Sequence, residues 1–298
     1  MKRNYPKLIS LLLILCLALS VFAFAEADSY AASVKKPKYI AHRGWSSKAP
    51  ENTLAAFRLA AKNSRFYGVE FDVWEASYPD KTEVIIDEEG NEQTVTVQQD
   101  PLLLVMHDDN IKRMCDVSRI IKKISRKTLD KYTIKHGSNI SKYKGQKIPT
   151  SDQALDTIYS NSKGAIPVIE LKERLSKRAL RYLLESLNGR EAVVISFSFN
   201  AVADTVKMAR SMGISDNIKT MYLKKKLSSK NYTSMISKLK KAGIDCISLK
   251  YTQVSSKTVK SFHKSKIKVC IWTVPNKSTA KKYAKMGVDY ITANGAVY

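Results

Sequence analysis

Beyond residue 33 the chain alternates short apolar runs with longer mixed stretches. The runs are Tyr39 to Ala41, Val69 to Val73, Leu102 to Met106, Ile166 to Leu171, Val193 to Phe197, Thr220 to Leu223, Cys246 to Leu249, Val269 to Val274 and Tyr290 to Thr292. Each has the length and composition of a strand, and most of the stretches between them are amphipathic at helical spacing. Such alternation predicts a parallel sheet with helical crossovers. The length suits an α/β fold of the (β/α)8 TIM-type barrel, a fold that keeps its chemistry at the C-terminal ends of the strands. Nine runs are one too many for eight staves. Leu102 to Met106 is the expected surplus, because no clear helix separates it from Val69 to Val73.

Polar residues interrupt this pattern at a few places, and those places carry the chemistry. Glu70 and Asp72 stand two apart in Gly68-Val69-Glu70-Phe71-Asp72-Val73, so one strand face holds both carboxylates and the other holds Val69, Phe71 and Val73. Ordinary alternation with the polar face in water is the bland account. Against it stands Glu170, inside the apolar run Ala165 to Leu171, where burial without a partner is costly and a bound cation supplies one. Three carboxylates with no cysteine or histidine pair at zinc spacing make a hard-oxygen site, suited to Ca2+ or Mg2+.

Of the four histidines, His42 and His107 each close a strand-like run, whereas His136 and His263 lie in lysine-rich polar segments that read as surface. Phosphodiester cleavage needs one group to activate the attacking oxygen and another to protonate the departing alkoxide, and imidazole can do either near neutral pH. Arg43 offers a phosphate a two-pronged donor and Lys172 a point charge.

The ordered set His42-Arg43-Gly44, Pro50-Glu51-Asn52-Thr53, Glu70-Phe71-Asp72, Val105-Met106-His107-Asp108-Asp109 with Arg113, Ile169-Glu170-Leu171-Lys172, Ser196-Phe197 and Val269 to Val274 resembles the glycerophosphodiester phosphodiesterase family, of the phospholipase-C-like phosphodiesterase barrels. The likeness runs from about Tyr39 to about Gly295. It implies a metal-dependent enzyme, a phosphoric diester hydrolase that releases an alcohol and glycerol 3-phosphate from glycerophosphodiesters. By the same likeness His42 and His107 are the acid/base pair, and Glu70, Asp72 and Glu170 are metal ligands. Arg43 and Lys172 contact the phosphate, and Trp272 is a platform for the glycerol. Glu51 matches a position near the metal, as ligand or as support, with capping of the following helix as the plainer account.

Two departures from the family pattern stand out. The span from Glu75 to Pro101 is longer than the family's usual connection, and Val84-Ile85-Ile86-Asp87 and Thr94-Val95-Thr96-Val97 around Glu88-Glu89-Gly90-Asn91 predict an extra β-hairpin. Its place between two motifs predicts that it overhangs the pocket. Near the end, Asn294 follows Thr292-Ala293 where an acidic residue after a threonine is commoner in the family.

The beginning of the chain is of another kind. Three cations in Met1 to Lys7, an apolar stretch from Leu8 to Ala25 and the tripeptide Ala23-Phe24-Ala25 read as a secretory signal peptide over residues 1–25, with residues 26–38 a linker and 39–298 one catalytic barrel. That predicts a secreted or cell-envelope protein, an uncleaved membrane anchor being the alternative. Cys16 lies within the apolar stretch and reads as filler. Without the leader three cysteines remain, Cys115, Cys246 and Cys270, and no essential disulfide is expected.

The chain carries +24, or +21 without residues 1–25. Such an excess concentrates polyanions near the surface, with anionic lipid and glycerophosphate wall polymers as candidate partners. No nucleic-acid fold signature accompanies it, so specific nucleic-acid binding is not expected. Two other readings stay open: a related phospholipase acting on phosphatidylinositol or sphingomyelin-type lipids, and a non-catalytic basic module that binds wall or lipid.

Overall fold

The computed structural model describes residues 36–298. The leader assigned to residues 1–25, Cys16 and most of the linker lie outside the described residues. Eleven strands follow in chain order: β1 (Lys38–Ala41), β2 (Phe66–Glu75), β3 (Lys81–Ile86), β4 (Glu92–Val97), β5 (Leu103–Val105), β6 (Ile166–Leu171), β7 (Ala192–Ser196), β8 (Ile218–Lys224), β9 (Cys246–Lys250), β10 (Lys268–Trp272) and β11 (Tyr290–Ala293). Strands β1, β2 and β6 to β11 pair in parallel, and β1 joins both β2 and β11, which closes an eight-stave barrel. Helices Leu54–Ala61, Ser151–Asn161, Lys177–Ser186, Phe199–Ser211, Tyr232–Ala242, Ser256–His263 and Lys277–Lys285 form the crossovers. Most begin at a Ser, Thr or Asn whose side chain accepts a first-turn N–H, as Thr53 does from Ala56 and Asn276 from Thr279.

The period of two along each stave separates two cores. Ile40, Val168, Val193, Ile195, Met221, Cys246, Cys270 and Tyr290 pack together inside the barrel. Residues of the opposite parity, such as Val69, Phe71, Val73, Ile169 and Val194, pack outward against helices, with the Phe71 ring centroid 5.6 Å from that of Phe57. Truncating Phe71 to alanine would cost about 3–5 kcal/mol. Glu70 and Asp72 take the inward parity, and both are fully buried.

The surplus run is β5, which pairs antiparallel with β2 (Val73↔Val105, Trp74↔Leu104, Glu75↔Leu103). With no helix to carry a crossover, the chain can only turn back, and the Met106 N–H then donates to the Asp72 carbonyl at 3.1 Å. His107 is thereby delivered beside the acidic stretch of β2.

The hairpin forms as expected: β3 and β4 pair from Lys81↔Val97 to Ile86↔Glu92 as a separate two-stranded sheet. Its loop is held by the Asp87 carboxylate, which accepts the Glu89 and Asn91 N–H groups, and Gly90 takes φ +86. It does not overhang the cavity: no residue of 75–101 is among the lining residues. The reason lies at its base, where Arg178 of an outer helix pairs with Asp80 at 3.0 Å and donates to the Gln99 carbonyl, so the hairpin is fastened to the outside layer.

Candidate active site

A cavity of about 730 Å³ lies at the C-terminal ends of the staves. It is lined by His42, Arg43, Glu70, His107, Glu170, Lys172 and Trp272 among others, so the residues singled out in the sequence converge there, apart from Asp72 and Glu51, which stand behind Arg43.

The first turn after β1 sets the floor. Arg43 (φ 55) and Gly44 (φ 74) are both left-handed, and a Cβ on Gly44 would come within 2.7 Å of the Ala56 backbone. Only glycine fits that approach. The turn aims the Arg43 N–H at the Glu70 carboxylate, 2.6 Å away.

Glu70, Asp72 and Glu170 each offer an oxygen within 4.8 Å of the others. Glu70 and Asp72 are adjacent inward residues of β2, and Glu170 lies opposite Asp72 in the β2–β6 register. One Glu70 oxygen, Oε1, is buried with no hydrogen-bond partner. The Glu70 carboxyl is pushed well above its usual range by burial and by the Asp72 and Glu170 charges, and Glu170 is raised by burial and by the Asp72 charge. Burial would raise Asp72 too, but Lys172, Arg43, His107 and the Asn52 amide together hold it below the usual range. An orphaned carboxylate oxygen among three clustered acids is the arrangement a divalent cation satisfies.

The cations hold these acids from the sides. Lys172 Nζ is 2.8 Å from Glu170 and 3.1 Å from Asp72. Arg43 pairs with Glu51 at 2.9 Å and lies 3.4 Å from Asp72. Glu51 also takes Arg113 at 2.6 Å, so it bridges two arginines, and the cap of the following helix is Thr53 instead. Asn52 (φ 56) donates to Asp72 at 2.8 Å.

The two histidines have unlike neighbours. His107 Nδ1 is 2.6 Å from the Asp108 carboxylate, itself 2.5 Å from Arg113 Nε. His42 Nδ1 instead meets the neutral side-chain oxygen of Asn294 at 2.7 Å, and its pKa is lowered to about 4, by burial first and by Arg43 second. With Nδ1 donating to Asn294, the His42 Nε2 keeps its lone pair. Trp272 lines the cavity edge-to-face with Phe197, ring centroids 5.3 Å apart. His136 and His263 are exposed and pair with Asp116 and Asp289. Cys115, Cys246 and Cys270 are buried and free.

Sequence reasoning assigned no role to Asn52 and left the last loop open. The signal for Asn52 was its place beside Glu51 in a motif, and for Asn294 the departure itself. Their contacts cross from residue 52 to 72 and from 42 to 294, and spacing along the chain does not announce such pairs.

A closed parallel barrel with clustered acids, two cations and two imidazoles at its C-terminal mouth defines a phosphoric diester hydrolase of the TIM-barrel kind. Residues 92–295 match the glycerophosphoryl diester phosphodiesterase family, and the chain belongs to that family. The matched span includes His107, Glu170, Lys172 and Trp272, and longer alignments take in the earlier motifs. The Bacillus subtilis (strain 168) protein YhdW, a glycerophosphodiester phosphodiesterase candidate by name, is 27% identical over 86% of this chain and 93% of its own length. The glycerophosphodiester phosphodiesterase of Caldanaerobacter subterraneus subsp. tengcongensis is 26% identical over the same shares. Among solved structures, an Oleispira antarctica phosphodiesterase in complex with the product sn-glycerol-3-phosphate superposes with a TM-score of 0.66 at 22% identity, covering 87% of this chain and 93% of that one. At that identity the superposition speaks for the fold.

Proposed function

We propose that the chain hydrolyses glycerophosphodiesters to an alcohol and glycerol 3-phosphate, with a divalent cation at the acidic cluster and His42 and His107 as base and acid. The observation that carries this reading is the buried trio Glu70, Asp72 and Glu170, within 4.8 Å of one another and with a Glu70 oxygen left without a partner. Family membership supplies the reaction class, and the cluster supports this pocket as the seat of the reaction.

Those three carboxylates would hold the ion, Ca2+ or Mg2+ by their all-oxygen character. Such an ion, when bound, lends Lewis acidity to a phosphate oxygen. Arg43 and Lys172 stabilise the charge that grows on the phosphoryl oxygens. His42, neutral because burial holds its pKa near 4, accepts at Nε2 the proton of the attacking oxygen. Asn294 fixes the tautomer that leaves Nε2 free. His107, held through Nδ1 by the Asp108 carboxylate, delivers a proton to the departing alkoxide. Trp272 and Phe197 offer the glycerol carbons an aromatic wall.

The test is a substrate panel of glycerophosphocholine, glycerophosphoglycerol, phosphatidylinositol and sphingomyelin, assayed with calcium, magnesium or chelator. The expected result is glycerol 3-phosphate from the glycerophosphodiesters with an added ion, and none in chelator. Unimpaired turnover after full metal removal, or cleavage of sphingomyelin alone, would refute the assignment.

A further inference from the structure

Pairing within the cavity accounts for most of its charges. Glu170 is held by Lys172, Arg43 by Glu51, and Asp108 by His107 and Arg113, while Glu70 faces the proposed ion. Two lining charges are left over: among the described residues, neither the Asp109 carboxylate nor the Lys225 ammonium has an ion pair or a hydrogen bond. They stand at different ends. Asp109 follows His107 by two residues, on the segment that β5 delivers beside β2. Lys225 directly follows β8, three staves round the barrel from β2, with its ammonium 5.9 Å from the centre of the Phe197 ring. Trp74 lines the cavity on the Asp109 side. It is the inward residue of β2 two beyond Asp72, lies opposite Leu104 of β5 and packs on the cluster of Leu102, Leu104 and Met106, which makes the indole a backed wall.

We propose that Trp74 and Asp109 form the subsite for the leaving alcohol and select a cationic one, an amino alcohol with a quaternary ammonium head fitting best. The assignment rests on the proposed reaction, in which His107 protonates the departing alkoxide, so the alcohol leaves on the side of His107. There an ammonium head meets an aromatic ring of the kind that attracts cations most strongly, and a carboxylate that no other side chain neutralises. The reverse seating is opposed, because it brings the same head to Lys225. Glycerol is neutral and takes that end instead, beside Lys225, Phe197 and Trp272. Long-range charge works the other way. The diester of a neutral alcohol carries one negative charge and that of choline carries none overall, so a body of +24 favours the neutral alcohol, and a preference for choline has to come from local contacts.

The test pairs glycerophosphocholine with the corresponding ester of 3,3-dimethylbutan-1-ol, which copies the shape of choline with carbon in place of nitrogen. Both are assayed at saturating calcium or magnesium and about 0.15 M salt, where charges more than about 8 Å away are screened. The parent should prefer the choline ester by at least about tenfold in kcat/KM. Asp109→Asn and Trp74→Leu should each cut that ratio to about threefold or less, and Asp109→Glu and Trp74→Phe should keep the larger part of it. Asp109 is exposed, so its replacement by Asn reads the subsite even where Trp74→Leu fails to fold. Saturation-transfer NMR with the free alcohols reads it without turnover: the parent should saturate the methyl protons of choline more than those of 3,3-dimethylbutan-1-ol, and Asp109→Asn should lose the difference. Equal kcat/KM for the two esters in the parent, a preference that survives both substitutions, or equal transfer to the two free alcohols would overturn the proposal. Turnover of neither ester would count against the proposed reaction, and the NMR comparison would still decide the subsite.

Discussion

Replacing Asn294 by Asp tests the division of labour between the histidines. The side-chain oxygen of Asn294 lies 2.7 Å from His42 Nδ1, so the substitution exchanges a neutral acceptor for an anionic one with little change of shape. In the parent the imidazole sits near pKa 4, lowered first by burial and then by Arg43, while the Asn294 hydrogen bond raises it. A carboxylate at hydrogen-bond distance favours the imidazolium by about 1–3 pKa units. The variant's His42 should therefore titrate between about 5 and about 7. A base works only while unprotonated, so activity is lost as pH falls through the higher pKa, and the acid limb moves toward neutrality. The assay is kcat/KM for glycerophosphocholine from pH 4 to 9 at saturating metal. With a pKa near 6, the variant should retain roughly a tenth of its plateau at pH 5, where the parent is close to its own. Above pH 8 the two should agree within a few fold. Asn294→Ala removes the acceptor without adding charge, so it should lower kcat while leaving the limb at or below its parent position. An acid limb that stays fixed in Asn294→Asp, or moves to lower pH, refutes His42 as the base.

Three further outcomes can be checked directly. His107→Ala and His42→Ala should each lower kcat by about 10²–10⁴-fold with secondary structure retained by circular dichroism. In chelator, thermal stability should fall as pH rises above about 4.5: the folded pKa values of Glu70 and Glu170 are raised, so the folded state binds more protons than the unfolded and loses that advantage with increasing pH. Calcium or magnesium should therefore raise the melting temperature more at pH 8 than at pH 5, and an equal effect at both would count against the cluster as the ion's seat. Gly44→Ala should destabilise by roughly 1–3 kcal/mol in urea unfolding, because it combines a left-handed φ with a Cβ pressed on backbone.

The barrel was legible in the chain because its signals are local. Each stave is a run whose inward and outward residues alternate, and each crossover carries its own cap, so Thr53 and Asn276 mark helix starts without help from the rest of the fold. Even the surplus run could be chosen, since the missing helix before Leu102 is a local fact with a topological consequence, the antiparallel β5. The convergence of Glu70 with Glu170 follows from adjacency of β2 and β6, which chain order alone predicts poorly because three strands lie between them. The pairings that distinguish the two imidazoles were out of reach, since closure of the barrel sets Asn294 at the end of β11 beside His42 at the end of β1. The hairpin was found for its turn chemistry but misplaced, because its direction is set by Arg178, 98 positions from its partner Asp80. What the sequence under-reads is therefore contact across closure, and at this site such a contact separates a histidine held neutral by burial beside an amide from one paired with a carboxylate.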